Sequence, residues 1–470
     1  MSIAKEEEPH VLIISYPSQG HINPLIQLAK FLAQCSLRIT FITTDAAINS
    51  IVKSKPASLA RIEFQSFTVN AGLMNSDGST VAAYLQRFRS DATEFLTATF
   101  SRLSPVCVVY DSFMPWVLEI AKPMGILSAP FFTQSCAVGA IYYLYYRGLF
   151  SAGQPPAAEL LGLEELTIHD VPSFMLTSNP YPVLTSVVLE QFSNLSEATW
   201  VLGNSFDELE TRIIQSFRPK LPVKTIGPML PSAYFSAGCS GSLDRRFDGD
   251  MFEAAFECIK WLDGKEEGSV VYVSFGSLLA LSDEQMGELA FGLKQSGKAF
   301  LWVVKKPEDG SVRQGNNKLP EWFVEETREQ GLVVPWCSQL EVLSHPAIGC
   351  FVSHCGWNST LESLTLGVPV VAMPQWTDQP TNGKFIADVW QVGVRAAAGE
   401  KGVVGREELV SCLGLVMDVG EKRREVRANA ARWSELARAA VKEGGSSSRN
   451  LQDFVDGIRR SHASKPAVPS

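Results

Sequence analysis

Short apolar runs, each followed by a polar turn and then by helical periodicity, recur along the first half of the chain. Val11 to Tyr16 is one such run. Beyond the loop Pro17 to Asn23, Leu25, Leu28, Ala29 and Leu32 fall at i, i+3, i+4 and i+7, which predicts a strand, a loop and an amphipathic helix. Arg38 to Thr44, Ile62 to Phe67, Val106 to Asp111 and Ala129 to Thr133 predict further strands. Continuous apolar strands separated by helices imply a parallel sheet covered on both faces. Between Gly227 and Arg246 the rhythm gives way to Pro228, Pro231, Ser232, Ser236, Gly238, Ser240, Gly241 and Ser242, a linker composition that marks a domain boundary. It then resumes, with strands expected at Val270 to Phe275, Phe300 to Val304, Leu332 to Pro335, Cys350 to His354 and Val368 to Met373, and a helix at Asp283 to Lys294. The fold class is therefore α/β, with two similar doubly wound domains. Arg406 to Lys442 reads as a pair of solvated surface helices, and Ala463 to Ser470 as a frayed tail.

Composition narrows the partners. With 41 basic against 50 acidic side chains among 470 residues, net charge −9, no basic surface invites nucleic acid. Hydrophobic residues at 46% suffice for a large core and exclude disorder as the main state. Nine scattered cysteines, an odd number without small-domain spacing, read as reduced thiols in a cytoplasmic protein, and the acidic N-terminus does not resemble a targeting segment. Pro123 to Tyr146 carries no charge, but Pro130, its polar residues and four tyrosines favour a strand followed by a buried helix over a membrane span.

Several familiar motifs fail. Gly292 to Lys298 matches most of a phosphate loop, yet Ala299 stands where a Ser or Thr is needed, and the segment closes a helix instead of opening one. No Gly-x-Gly-x-x-Gly follows a strand and no Gly-x-Ser-x-Gly occurs, which weakens dinucleotide oxidoreductase and α/β-hydrolase readings. His345, Cys350, His354 and Cys355 cluster, but strand alternation sends Cys350 and His354 to one face and Cys355 to the other, so no metal site is expected.

The window from Trp336 to Gln379, WCSQLEVLSHPAIGCFVSHCGWNSTLESLTLGVPVVAMPQWTDQ, carries the most chemistry. Cys350 to His354 reads as a buried strand, Cys355 to Trp357 as a tight turn, and Asn358 to Leu366 as a helix ended by Gly367. A strand running into a helix N-terminus aims unpaired N–H groups and the helix dipole at one spot, a place able to hold a diphosphate without metal. Ser359 and Glu362 also fit a capping box, Trp336 and Trp357 fit core aromatics, and His354 fits a satisfied buried histidine. Asp378 and Gln379 follow a strand and a Pro374 turn, where ligands gather at the carboxyl ends of parallel strands.

Taken together, this window resembles the signature box of plant family-1 UDP-dependent glycosyltransferases, which transfer sugar from a UDP-sugar to small acceptors. The match keeps Trp336, Gln339, His345-Pro346, His354 to Ser359, Glu362, Pro369, Asp378 and Gln379 in place without a gap. The loop Pro17 to Pro24, the Val109-Tyr-Asp111-Ser segment and the Ser274-Phe-Gly276-Ser277 turn are also similar to that family. The resemblance implies the GT-B fold, two facing Rossmann-like domains about a cleft. Residues 1–240 would bind the acceptor, 241–450 the UDP-sugar, and the tail 451–470 would return toward the first domain. It further implies that Trp336 stacks on uracil, that Cys337 offers backbone contacts, and that Gln339 and Glu362 bind uridine hydroxyls. His354, Asn358, Ser359 and Ser277 would hold the diphosphate, Trp357 would border the sugar, and Asp378 and Gln379 would bind its hydroxyls. Gln379 suggests glucose, so UDP-glucose is the expected donor, with no permanently bound cofactor.

An acceptor hydroxyl needs a base, and an imidazole is well matched to that task near neutral pH. His21, in the loop after the first strand, is the candidate, with Asp111 ending a strand of the same sheet and orienting the ring; a solvated loop histidine and a turn-capping aspartate are the alternatives. The resemblance implies inverting, in-line transfer, with Thr133 near the sugar. The acceptor is expected to be small and lipophilic, a phenolic, terpenoid, steroid or aromatic acid, seated on the aromatic surface of Pro123 to Tyr146. The enzyme is expected to act as a monomer. A catalytically silent UDP-sugar binder of the same fold and a dinucleotide oxidoreductase are the rival readings.

Overall fold

The computed structural model describes residues 8–52, 59–70, 78–156, 166–179, 182–217, 222–235, 252–276, 280–305 and 317–464. Ser277 and most of the expected linker lie outside the described residues. The first sheet contains β1 (His10–Ile14), β2 (Arg38–Thr44), β3 (Ile62–Phe67), β4 (Cys107–Asp111), β5 (Leu127–Phe132), β6 (Val201–Gly203) and β7 (Val223–Thr225), all parallel, in the order β3-β2-β1-β4-β5-β6-β7. The second contains β8 (Val270–Ser274), β9 (Ala299–Val303), β10 (Gly331–Val334), β11 (Ile348–Ser353), β12 (Val370–Ala372) and β13 (Gly393–Arg395), also parallel, in the order β10-β9-β8-β11-β12-β13. In both, strand order reverses once, between β1 and β4 in the first and between β8 and β11 in the second, and such reversals open a crevice at the carboxyl ends of the strands.

Buried apolar residues line both faces of each sheet. Val11, Ile13, Ile39 and Val109 pack on the helix Gln19–Gln34, whereas Leu12, Ile14, Val108 and Tyr110 pack on the opposite side with Leu96 and Phe100. The last helix, Ser446–Ala463, returns to the first lobe: Leu451, Phe454, Val455 and Ile458 join its core, and Phe454 meets Trp200 edge to face at 5.0 Å. No helix among the described residues is long and apolar enough to cross a membrane.

Three expectations need correction. The first helix begins at Gln19, so His21 sits in its opening turn and not in a loop. Pro24 lies inside this helix, where its missing N–H forfeits the bond to the Gly20 carbonyl. The charged helices Arg406–Met417 and Glu421–Val441 are not simply solvated, since Leu409, Leu413 and Val416 and then Val426, Ala430, Trp433 and Ala437 form buried stripes at helical spacing. The helix Trp357–Leu366 is capped by Gly356 with no side-chain cap, so Ser359 and Glu362 do not form a capping box; the helix starts earlier than that pattern needs.

Candidate active site

Each lobe brings its polar residues to its own topological switch point. In the first lobe, His21 follows β1 and Asp111 ends β4, the two strands that flank the reversal. Asp111 is fully buried; its Oδ2 lies 2.6 Å from His21 Nδ1, and its Oδ1 accepts the Phe113 backbone N–H at 3.0 Å. Thus the carboxylate both caps its turn and fixes the ring. Thr133 Oγ1, just past β5, lies 3.2 Å from the same Nδ1. With Nδ1 engaged, the proton belongs on that nitrogen and Nε2 keeps the lone pair. Tyr16 and Phe113 flank the imidazole at 5.4 and 4.9 Å between ring centres, and its side chain remains 17% exposed. The helix Cys136–Tyr146 is mostly buried, and Tyr16 and Phe113 form an aromatic wall beside His21.

In the second lobe, β11 ends at Ser353 and the chain turns through His354, Cys355 and Gly356 into the helix Trp357–Leu366, which Gly367 closes at φ 70°. The first helical N–H groups point out of the switch point and are available to an anion. His354 is wedged between Gly276 and Gly356: a Cβ at these positions would lie 2.7 and 2.6 Å from its Nε2. Burial holds its imidazole down at about 4, outweighing a hydrogen bond with the Ser274 backbone that pulls it up, so it is neutral at physiological pH. It can therefore donate or accept a hydrogen bond but brings no positive charge.

Around the adjoining helix start, Gln339 Nε2 donates to Glu362 Oε2 at 2.5 Å and Ser359 Oγ at 2.9 Å, and buried Tyr272 donates to Gln339 Oε1 at 3.2 Å. Tyr272 also lies 3.3 Å from Cys337 Sγ. Trp336, half-buried, occupies the loop immediately before Cys337. Trp357 is a core residue: its ring packs on Trp390 and its Nε1 donates to the Asn204 carbonyl of the other lobe at 2.7 Å. Asn358 Nδ2 donates across the cleft to the Gly20 carbonyl at 2.9 Å.

Asp378 and Gln379 follow β12. Gln379 Oε1 accepts the Gln375 and Trp376 backbone N–H groups at 2.9 and 3.1 Å, which leaves its amide nitrogen as a donor. Burial pushes the Asp378 carboxyl above its usual range, while hydrogen bonds from Thr377 and Asn382 pull it back. The Asn358–Gly20 bond beside His21 and the Ser135–Asn382 bond at 3.3 Å bring the polar ends of the two lobes against each other. Tyr272, Asn382 and an interlobe clasp escaped the sequence reading. In the clasp, Asp170 Oδ1 accepts Arg395 Nη1 at 2.6 Å, and the Ser173 backbone N–H donates to the Thr377 carbonyl at 2.8 Å. Only the spacing of Asn382, four residues past Asp378, offered any sequence signal.

A family model described as "UDP-glucoronosyl and UDP-glucosyl transferase" matches residues 208–428. UDP-glycosyltransferase 74D1 of Arabidopsis thaliana is 42% identical over 97% of this chain and 100% of its own length. Indole-3-acetate beta-glucosyltransferase of Zea mays is 41% identical, over 96% and 98%. Mogroside I-E synthase of Siraitia grosvenorii is 42% identical, over 95% and 98%. Among solved structures, Os79 from O. sativa in complex with UDP superposes with a TM-score of 0.84 at 34% identity, covering 95% of this chain and 100% of that one. Os79 has also been solved with U2F and trichothecene.

Proposed function

We propose, from the premise that this chain belongs to the plant family-1 UDP-glycosyltransferases and shares their GT-B fold, that it moves glucose from UDP-glucose to a hydroxyl or carboxyl of a small lipophilic acceptor, with inversion. The family takes a UDP-sugar donor and small-molecule acceptors. In the proposed step, His21 Nε2 takes the acceptor proton as the acceptor oxygen forms its bond to the anomeric carbon. The bond from that carbon to the diphosphate oxygen breaks on the opposite face, and UDP leaves with the electron pair. Asp111 holds the tautomer and balances the imidazolium. The N–H groups at the start of Trp357–Leu366 and neutral His354 receive the diphosphate, Trp336 the uracil, Gln339 and Glu362 the ribose, and Asp378 and Gln379 the sugar hydroxyls. Thr133 steadies the base from beside Asp111.

The observation that carries this reading is the 2.6 Å His21–Asp111 contact at one switch point, joined to the helix start of the other lobe by the Asn358 bond to the Gly20 carbonyl. The relatives' names span an aromatic acid and a mogroside, and a trichothecene occupies a neighbour's structure, which supports a lipophilic acceptor. The eight described cysteines are free thiols, which supports a cytoplasmic setting.

His21→Ala tests the base. Transfer to an alcohol is expected to fall about 100 to 10,000-fold with UDP affinity unchanged, whereas a carboxylic acid acceptor, already ionised, should lose much less. Near-normal turnover with the alcohol would end the assignment. Mass spectrometry of products from UDP-glucose and a panel of phenols, acids and steroid alcohols identifies the acceptor class.

A further inference from the structure

We propose that Asn382 is a positioning residue that aims the Asp378 carboxylate at the donor sugar and ties it to the diphosphate turn and to the acceptor lobe; the proposal rests on the transferase reading above. Asn382 is 1% exposed and lies in the short helix Gln379–Lys384 that follows Asp378. Its Nδ2 donates to Asp378 Oδ2 at 2.7 Å and to the Cys355 carbonyl at 2.9 Å, and its Oδ1 accepts the Ser135 hydroxyl at 3.3 Å. One amide therefore joins three segments.

Each of those segments touches a different part of the reaction. The Cys355 carbonyl belongs to the turn that launches the diphosphate helix. Ser135 caps the helix Cys136–Tyr146 and stands two residues beyond Thr133, which touches His21. Asp378 would meet the sugar. Both turns that Asn382 bridges hold a non-glycine residue in the left-handed region, Cys355 at φ 65° and Thr377 at φ 55°. Such conformations persist where surrounding contacts over-determine them, and the Asn382 amide is one contact common to both turns.

The hydrogen-bond count at Asp378 explains why an asparagine suits this position. Thr377 Oγ1 donates to Oδ1 at 2.7 Å and Asn382 to Oδ2, so each carboxylate oxygen is fixed by one donor and keeps acceptor capacity for a sugar hydroxyl. An amide does this without charge. A carboxylate at 382 would instead share a proton with Asp378 or repel it.

The experiment compares Asn382→Ala and Asn382→Asp with the natural enzyme, measuring UDP affinity by calorimetry and steady-state kinetics with UDP-glucose and UDP-galactose. In the Ala variant, kcat/KM for UDP-glucose is expected to fall about 10 to 100-fold, as misplacement of a positioning contact by an ångström does. UDP affinity should stay within about threefold, and the preference for UDP-glucose over UDP-galactose should shrink, because UDP lacks the sugar that Asp378 would hold. The isosteric Asp variant should recover relative to the natural enzyme as pH falls from 8 to 6, when the paired carboxyls keep a shared proton. A merely structural role moves neither the sugar preference nor this pH ratio. Unchanged kcat/KM in the Ala variant, or equal loss of UDP and UDP-glucose affinity in both variants, overturns the proposal. Failure of the natural enzyme to transfer glucose at all overturns the transferase reading instead.

Discussion

A diphosphate usually meets lysine or arginine, yet the imidazole beside the expected diphosphate position is neutral. His354 is enclosed by two glycines that leave no room for a Cβ, and burial, against a Ser274 backbone hydrogen bond, depresses it to about 4. Such a group is a hydrogen-bonding partner of fixed orientation, and the favourable electrostatics come from the helix start beside it. The consequence for stability has a definite sign. Because the folded value lies below the unfolded value of 6.5, the folded protein binds fewer protons between them. The stability tied to the neutral ring is fully present above about 6.5 and is lost as pH falls toward about 4. His354→Gln removes the titration while keeping an amide of similar reach. The drop in melting temperature between pH 7.5 and 4.5 should therefore be smaller in the variant than in the natural protein, measured by differential scanning fluorimetry. An identical acid-induced drop would mean that other groups govern it.

At the scale of elements, the helix Cys136–Tyr146 shows how a distant residue sets local geometry. Its first N–H groups, from Cys136 and Ala137, donate to Glu210 at 2.9 and 2.8 Å, the Ser205 hydroxyl adds a third bond, and Ser135 caps Val138. Burial pushes the Glu210 carboxyl up while these donors pull it down. Glu210→Ala strands three buried donors at about 1–3 kcal/mol each, so a loss of several kcal/mol is expected, with Glu210→Gln intermediate; denaturant titration of both variants checks the order. Activity should fall as well, because the segment that Glu210 anchors presents Thr133 to His21 and Ser135 to Asn382. None of this was legible from the sequence, since Glu210 and its helix are 74 residues apart. The long apolar strands were legible to within a residue or two, whereas β6, β7 and β13, three residues each, carry too short a pattern to declare themselves. His21, Asp111 and the Trp336 to Gln379 window stood out because motif residues cluster locally. Asn382 and the clasp did not, because their partners come from remote turns and the other lobe.

At the scale of the whole molecule, the two switch points are joined by a bond whose existence follows from a proline. Pro24 has no N–H, so the carbonyl four residues earlier, Gly20, lacks that intrahelical donor. The carbonyl instead accepts Asn358 Nδ2 from the first turn of the diphosphate helix, and it directly precedes His21. The Trp357 and Trp390 indoles donate to Asn204 and Leu209 carbonyls in the first lobe, and Asp170 holds Arg395, so the Asn358 bond is not needed to keep the lobes together. It sits beside His21, where the proposed base would face the leaving group, and its contribution should be to alignment. Asn358→Ala is then expected to lower kcat about 10 to 100-fold while leaving melting temperature nearly unchanged and UDP affinity within about threefold. If UDP affinity falls tenfold with kcat preserved, the amide serves the diphosphate directly, as the sequence resemblance implies, and alignment of His21 rests on the remaining interlobe bonds. Asn358→Asp sharpens the distinction, since a carboxylate facing both the Gly20 carbonyl and a diphosphate must weaken UDP binding, whereas loss of alignment alone in the Ala variant leaves it intact.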